Sequence, residues 1–178
     1  MKGIIFTEFL EMVENKFGIE TVDKIIHNSE LDSGGVYTSV GTYNFSEMLN
    51  LITNLSSETD IDIPTLLHVY GLYFFDTLLK GHPDIFNYYK TAFDLLAGIE
   101  KHIHVHVRKI YPEADLPSFI VHEETLSKLI LEYQSEKAMY QFALGLMERT
   151  LEHYNETVVI KKVLLNDSGT KVLFTLTK

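Results

Sequence analysis

Apolar residues recur three and four apart through the first two thirds of the chain. Phe6, Phe9, Leu10, Val13 and Phe17 mark one face of an opening helix, and Gly18 can end it. A short second helix is expected over residues 20–29, closed by the turn signal Leu31-Asp32-Ser33-Gly34-Gly35. Ser46, ahead of Glu47, Met48, Leu49, Leu51, Ile52 and Leu55, reads as the N-cap of a third helix. Pro64 suits the first turn of a fourth, which carries Leu67, Val69, Tyr70, Phe74 and Phe75. Gly81-His82-Pro83 breaks the chain. A short helix and then a long one over about 92–110 follow, stopped by Tyr111-Pro112.

The last third changes period. Ser118–His122 and Leu126–Tyr133 read as strands joined by a short acidic turn, and residues 136–153 as a helix with Met139, Phe142 and Leu146 on one stripe. Thr157–Leu165 and Lys171–Thr177 are β-branched and partly alternating, with the hairpin turn Asn166-Asp167-Ser168-Gly169 between them. The pattern predicts an α+β fold: a helical N-terminal part and a C-terminal four-stranded antiparallel sheet with one helix packed on it. No Pro/Gly/Ser-rich linker intervenes, so one domain over 1–178 is expected, with a helical part over about 1–60 and the remainder over about 61–178.

Composition narrows the function. Of 178 residues 46% are hydrophobic, enough for a core, and 15 basic against 25 acidic residues give a net charge of −10. Such a chain repels phosphate backbones, which argues against nucleic acid. The absence of cysteine excludes disulfide scaffolds, thiolate metal sites and cysteine nucleophiles. No apolar run approaches the ~18 residues of a membrane span, and the acidic start MKGIIFTEFLEMVENK does not read as a signal peptide; a cytoplasmic protein is expected.

The sharpest local feature is Lys101-His102-Ile103-His104-Val105-His106-Val107. On a strand, the three imidazoles would share a face and suit zinc or iron. On a helix each two-residue step turns ~200°, so only His102 and His106 share a face. Phe93, Leu96, Ile99, Ile103, Val107 and Ile110 step helically straight through the run, which favours helix. Periodicity leaves His104 to the side of that stripe. The alternative is three solvated or hydrogen-bonded surface histidines.

Tyr133, Ser135 and Lys137 stand at a strand end. If the chain stays extended, they line one face roughly 7 Å apart at each step, a row of donors for a dianion. Such a row also arises by chance where a strand meets a helix start.

Several pieces occur in a familiar order: Met1-Lys2-Gly3-Ile4-Ile5 with Phe9 and Met12, Gly71, His104 six residues before Ile110-Tyr111-Pro112, Pro117-Ser118-Phe119, Tyr133-Gln134-Ser135 and Leu144-Gly145-Leu146. Together they resemble the heme nitric oxide/oxygen-binding (H-NOX) domain family, which includes the heme domain of soluble guanylate cyclase and bacterial gas sensors. The resemblance implies heme b (protoporphyrin IX iron) bound through His104 as proximal ligand. His102 and His106 have no counterpart. Tyr133 and Ser135 match the family's Tyr-x-Ser-x-Arg motif for the heme propionates. Lys137 replaces its Arg and, lacking a planar fork, implies a looser clamp. Pro117, Ile5 and Leu146 match residues that pack on the macrocycle.

The resemblance also bears on the gas. The family's oxygen binders carry a distal tyrosine nine residues after the motif's first Tyr; that position here is Phe142, and the supporting polar positions are Phe9 and Phe74. None carries a donor for bound O₂, and Tyr140 is about 200° out of phase with Phe142. The expectation is a non-catalytic sensor that binds NO and CO at five-coordinate ferrous heme and excludes O₂. NO would weaken the bond to His104. The family implies a partner in trans, a histidine kinase or a diguanylate cyclase or phosphodiesterase. Competing readings are an O₂-binding heme sensor, a heme enzyme such as a peroxidase, a non-heme metal protein using His102 and His106 with Glu100 or Asp94, and a binding module without cofactor. A peroxidase needs a distal His or Arg, and none falls at the matched positions.

Overall fold

The computed structural model describes residues 1–178. Helix α1 (Gly3–Phe17) buries Phe6, Phe9, Met12 and Val13, the face its spacing predicts. Gly18 follows with φ 88°, a conformation glycine adopts without the Cβ clash, and lets the chain turn at once into α2 (Ile19–His27). Helix α3 (Phe45–Thr59) is capped two residues earlier than expected: Asn44 is the N-cap and Ser46 lies inside the first turn. Helix α4 (Ile63–Gly81) has Asp62 at its N-cap, accepting from the Thr65 amide at 2.8 Å, with Pro64 in the first turn.

The expected long helix over 92–110 is three pieces. After α5 (Pro83–Tyr88) come α6 (Ala92–Ala97), a π-helical turn (Ile99–Ile103) and α7 (His104–Ile110). A π turn inserts one extra residue into the helical count, so everything after it rotates by about 100°. The inward face then takes in His104, while Ile99 and Ile103 stay partly buried against the sheet core. His104 is 8% exposed, whereas Ile110 is 46% exposed. This corrects the expectation that His104 lies beside the packed face.

Strands β1 (Ser118–Glu124), β2 (Lys128–Gln134), β3 (Val159–Leu164) and β4 (Lys171–Thr177) form an antiparallel sheet in the order β1-β2-β4-β3. Strict alternation along β2 sends Leu129, Leu131 and Tyr133 inward. Helix α8 (Tyr140–His153) packs on that inner face; residues 136–139, expected as helix, form the turn that leads into it.

Two apolar cores result. One gathers α1–α4 around Phe9, Met12, Leu51 and Tyr70; the other joins the sheet to α6 and α8 around Leu131, Phe174 and Met147. They meet along α4 and α8, where two glycines permit close approach. A Cβ on Gly71 would lie 2.1 Å from the Phe142 carbonyl oxygen, and one on Gly145 2.4 Å from that of His68. Leu146, on α8, touches both cores. No helix is long and apolar enough to cross a membrane.

Candidate functional site

His104 opens α7 at the end of the π turn, and Glu100, one π turn earlier, reaches the same ring. His104 Nδ1 lies 2.7 Å from Glu100 Oε1. A carboxylate only accepts, so the imidazole proton sits on Nδ1 and the Nε2 lone pair is free. The same Glu100 oxygen accepts the Phe119 amide at 3.1 Å, which ties the π turn to β1. Burial pushes the His104 pKa below the ordinary imidazole value of 6.5; Glu100 pulls it up, and Arg108 nearby adds to the lowering. The ring is thus a neutral, oriented, largely buried nitrogen ligand, the state a metal-bound histidine requires. The expectation attached Glu100 only to a non-heme site. Its i,i+4 spacing to His104 is the sequence signal for the contact observed.

The other two histidines of the run go elsewhere. His102 and His106 are exposed and line a surface cavity of about 330 Å³ with Asp84 and Tyr89. His102 Nδ1 meets the Tyr89 hydroxyl at 2.5 Å, and the His106 ring packs edge-on to His82. Neither converges with His104.

Tyr133 is 2% exposed, on the inner face of β2. Burial raises the pKa of its phenol; the Ser135 hydroxyl and the Met139 backbone pull the other way. The extended row ends at Ser135. Its amide still pairs with Thr170 O at 2.9 Å, but Ala138 N returns to Ser135 O at 3.1 Å and Ala138 has φ 48°. Lys137 is therefore on a turn, its amide donating to Ser135 Oγ at 3.2 Å and its ammonium paired with Asp115. Lys137 is largely buried (13% exposed) and Asp115 is exposed (76%), so the ammonium is held in place while its carboxylate partner is open to solvent.

The distal candidates form one aromatic cluster. The ring of Phe142 lies 5.6 Å from that of Phe74 and 4.9 Å from that of Tyr70, and Phe9 lies 5.3 Å from Tyr70. Phe9 and Phe74 are buried and Phe142 is partly buried. Tyr140 faces the opposite way, toward Gly169 in the β3–β4 turn and under Lys162. Tyr70, the centre of the cluster, was not singled out as a site residue from the sequence; its four-residue step to Phe74 is the signal. Ile5 and Leu146 are partly buried beside the same cluster, and Pro117, also partly buried, immediately precedes β1.

A haem-NO-binding family model matches residues 2–162, and the chain belongs to that family. Its fold is that of an H-NOX protein from K. algicida solved in the Fe(II) unliganded state, with 53% identity, TM-score 0.97, and 100% of this chain and 96% of that one covered. An H-NOX from Shewanella woodyi is 38% identical with TM-score 0.85, covering 100% of this chain and 94% of that one. Soluble guanylate cyclase gcy-35 of Caenorhabditis elegans is 24% identical over 172 residues, 92% of this chain. The chain spans about a quarter of that cyclase (24%).

Heme is the family's cofactor, and the residues present fit it. A neutral imidazole with a free Nε2 suits iron, partly buried apolar side chains suit a porphyrin face, and the Tyr133, Ser135 and Lys137 donors suit propionates.

Proposed function

We propose that this chain is a gas-sensing domain that carries heme b on His104, binds NO and CO in the ferrous state, excludes O₂ and regulates a signalling partner in trans. The observation that carries the reading is the buried His104 imidazole, held through Nδ1 by Glu100 with Nε2 left free; a separate aromatic cluster of Phe9, Phe74 and Phe142 around Tyr70, whose only hydroxyl is engaged, supports it. The family's description supports NO, and the S. woodyi relative was solved in an Fe(II)CO state.

The heme, when bound, supplies the gas-binding iron. The chain supplies the rest. His104 presents Nε2 to the metal, and Glu100 holds the ring through Nδ1. Tyr133, Ser135 and Lys137 anchor the propionates, with Lys137 exchanging Asp115 for a carboxylate of the cofactor. Ile5, Pro117 and Leu146 pack on the ring. Phe9, Phe74 and Phe142 keep water and hydrogen-bond donors away from the gas. O₂ would need a hydrogen-bond donor at such a site and NO would depend on one far less, so a wall of Phe9, Phe74 and Phe142 would favour NO. None of Phe9, Phe74 and Phe142 is a His or Arg that could serve peroxidase acid–base chemistry.

The path to a partner starts at His104. Through Glu100 it is bonded to the π turn and β1, and the π turn and α7 carry the exposed His102 and His106 on either side of it. Residues 1–178 act as one unit in this reading. The output is protein contact, through a histidine kinase or a diguanylate cyclase or phosphodiesterase in the cytoplasm. Purified reduced protein is expected to show a strong Soret band, to change spectrum with NO, and to form no stable oxy complex in air. Colourless protein or a stable oxy spectrum would overturn the reading.

A further inference from the structure

Tyr70 has a fully buried side chain, and the reading above gives it no role. Its hydroxyl donates to the Ile5 carbonyl oxygen at 2.6 Å, across from α4 to the first turn of α1. The helical i→i−4 pattern gives that same carbonyl to the Phe9 amide as well. Tyr70 therefore grips the backbone of one matched macrocycle-packing residue, Ile5, while its ring touches all three phenylalanines of the distal cluster. Centroids lie 5.3 Å from Phe9, 5.8 Å from Phe74 and 4.9 Å from Phe142. The next residue, Gly71, is the point where α4 meets the Phe142 backbone of α8. Adjacent residues of α4 thus fix α1 on one side and α8 on the other.

We infer that Tyr70 is a positioning residue, setting how Ile5 presses on the cofactor and making α1 and α4 move as one body. The inference rests on the heme reading above. A second consequence follows from the same bond: the phenol proton is committed to Ile5 O, so the one hydroxyl in the distal cluster does not serve the gas. The structure supplies an internal control. Tyr73, also on α4, bonds α1 through Asn15 Nδ2 at 2.9 Å, at the far end of α1 from Ile5 and in an exposed position.

The test compares Tyr70→Phe and Tyr73→Phe in the heme-loaded protein, reading the reduction potential, the out-of-plane porphyrin bands in resonance Raman and the melting temperature. Both variants are expected to lose about 2–4 °C at most. Only Tyr70→Phe is expected to shift the potential and the out-of-plane bands, and it is expected to gain no oxy complex in air. Potential and bands equal to wild type in Tyr70→Phe, or shifted as far in Tyr73→Phe, would overturn the positioning role. Wild-type protein without a Soret band would instead overturn the heme reading, and the positioning role with it.

Discussion

Glu100 Oε1 accepts at once from the His104 imidazole, at 2.7 Å, and from the Phe119 amide, at 3.1 Å. One carboxylate oxygen therefore fixes the tautomer and orientation of the proposed iron ligand and ties it to β1. Removing such a partner of a metal-bound histidine typically costs about 10–100-fold in affinity. Glu100→Ala is expected to lose heme faster by that factor, and Glu100→Gln by less, because the amide oxygen still accepts. Transfer of heme to excess apomyoglobin measures both rates; an unchanged rate in Glu100→Ala would remove Glu100 from the site.

Lys137 tests the departure from the family motif. A hydrogen bond to a charged group is worth roughly 1.5–3 kcal/mol, so Lys137→Ala is expected to speed heme loss about tenfold or more. Lys137→Arg restores a planar fork and is expected to lose heme no faster than wild type. The same transfer assay reads both, and equal rates in all three proteins would place the propionate contacts elsewhere.

Gly145 tests the seam between the two cores. An added Cβ would sit 2.4 Å from the His68 carbonyl oxygen and 2.8 Å from the Leu72 amide nitrogen, both backbone atoms. Gly145→Ala must push α8 off α4, at a cost of about 1–3 kcal/mol. Thermal or urea unfolding followed by circular dichroism should show that loss; a neutral result would mean the seam yields freely.

Tyr70 gives a pH dependence. Full burial raises its pKa well above the ordinary 10.0. Above pH 10 the unfolded chain releases this proton and the folded chain retains it, so stability falls as pH rises, by about 1.4 kcal/mol per pH unit for one such group. Below pH 10 the residue is protonated in both states and adds no slope. Buried Tyr133 shifts in the same direction, so the informative quantity is the difference between wild type and Tyr70→Phe. Urea midpoints at about pH 9 and about pH 11 should converge in the variant relative to wild type. Equal slopes would show the phenol ionising in the folded protein.

Most of the fold was legible because its signals are local. The three-and-four spacing of Phe6, Phe9 and Val13, the alternation through Leu129, Leu131 and Tyr133, and the Asn166–Gly169 turn each act over a few residues. The π turn at Ile99–Ile103 was not legible. It changes the count by one residue, and Ile103 and Val107 make an unbroken stripe look equally good. That one residue decides whether His104 packs inward, so periodicity alone misplaced it. The course of the chain after Ser135 was hidden for a similar reason: the turn depends on Ala138 at φ 48°, which no residue type there announces. Tyr70 was legible as core but not as a tether, since its partner is a backbone carbonyl 65 residues away.

The central claim is that His104 holds the iron, and resonance Raman of the ferrous protein tests it most directly. An iron–histidine stretching band is expected in wild type, absent in His104→Gly and restored when imidazole is added to that variant. A band that persists in His104→Gly without imidazole would contradict the account.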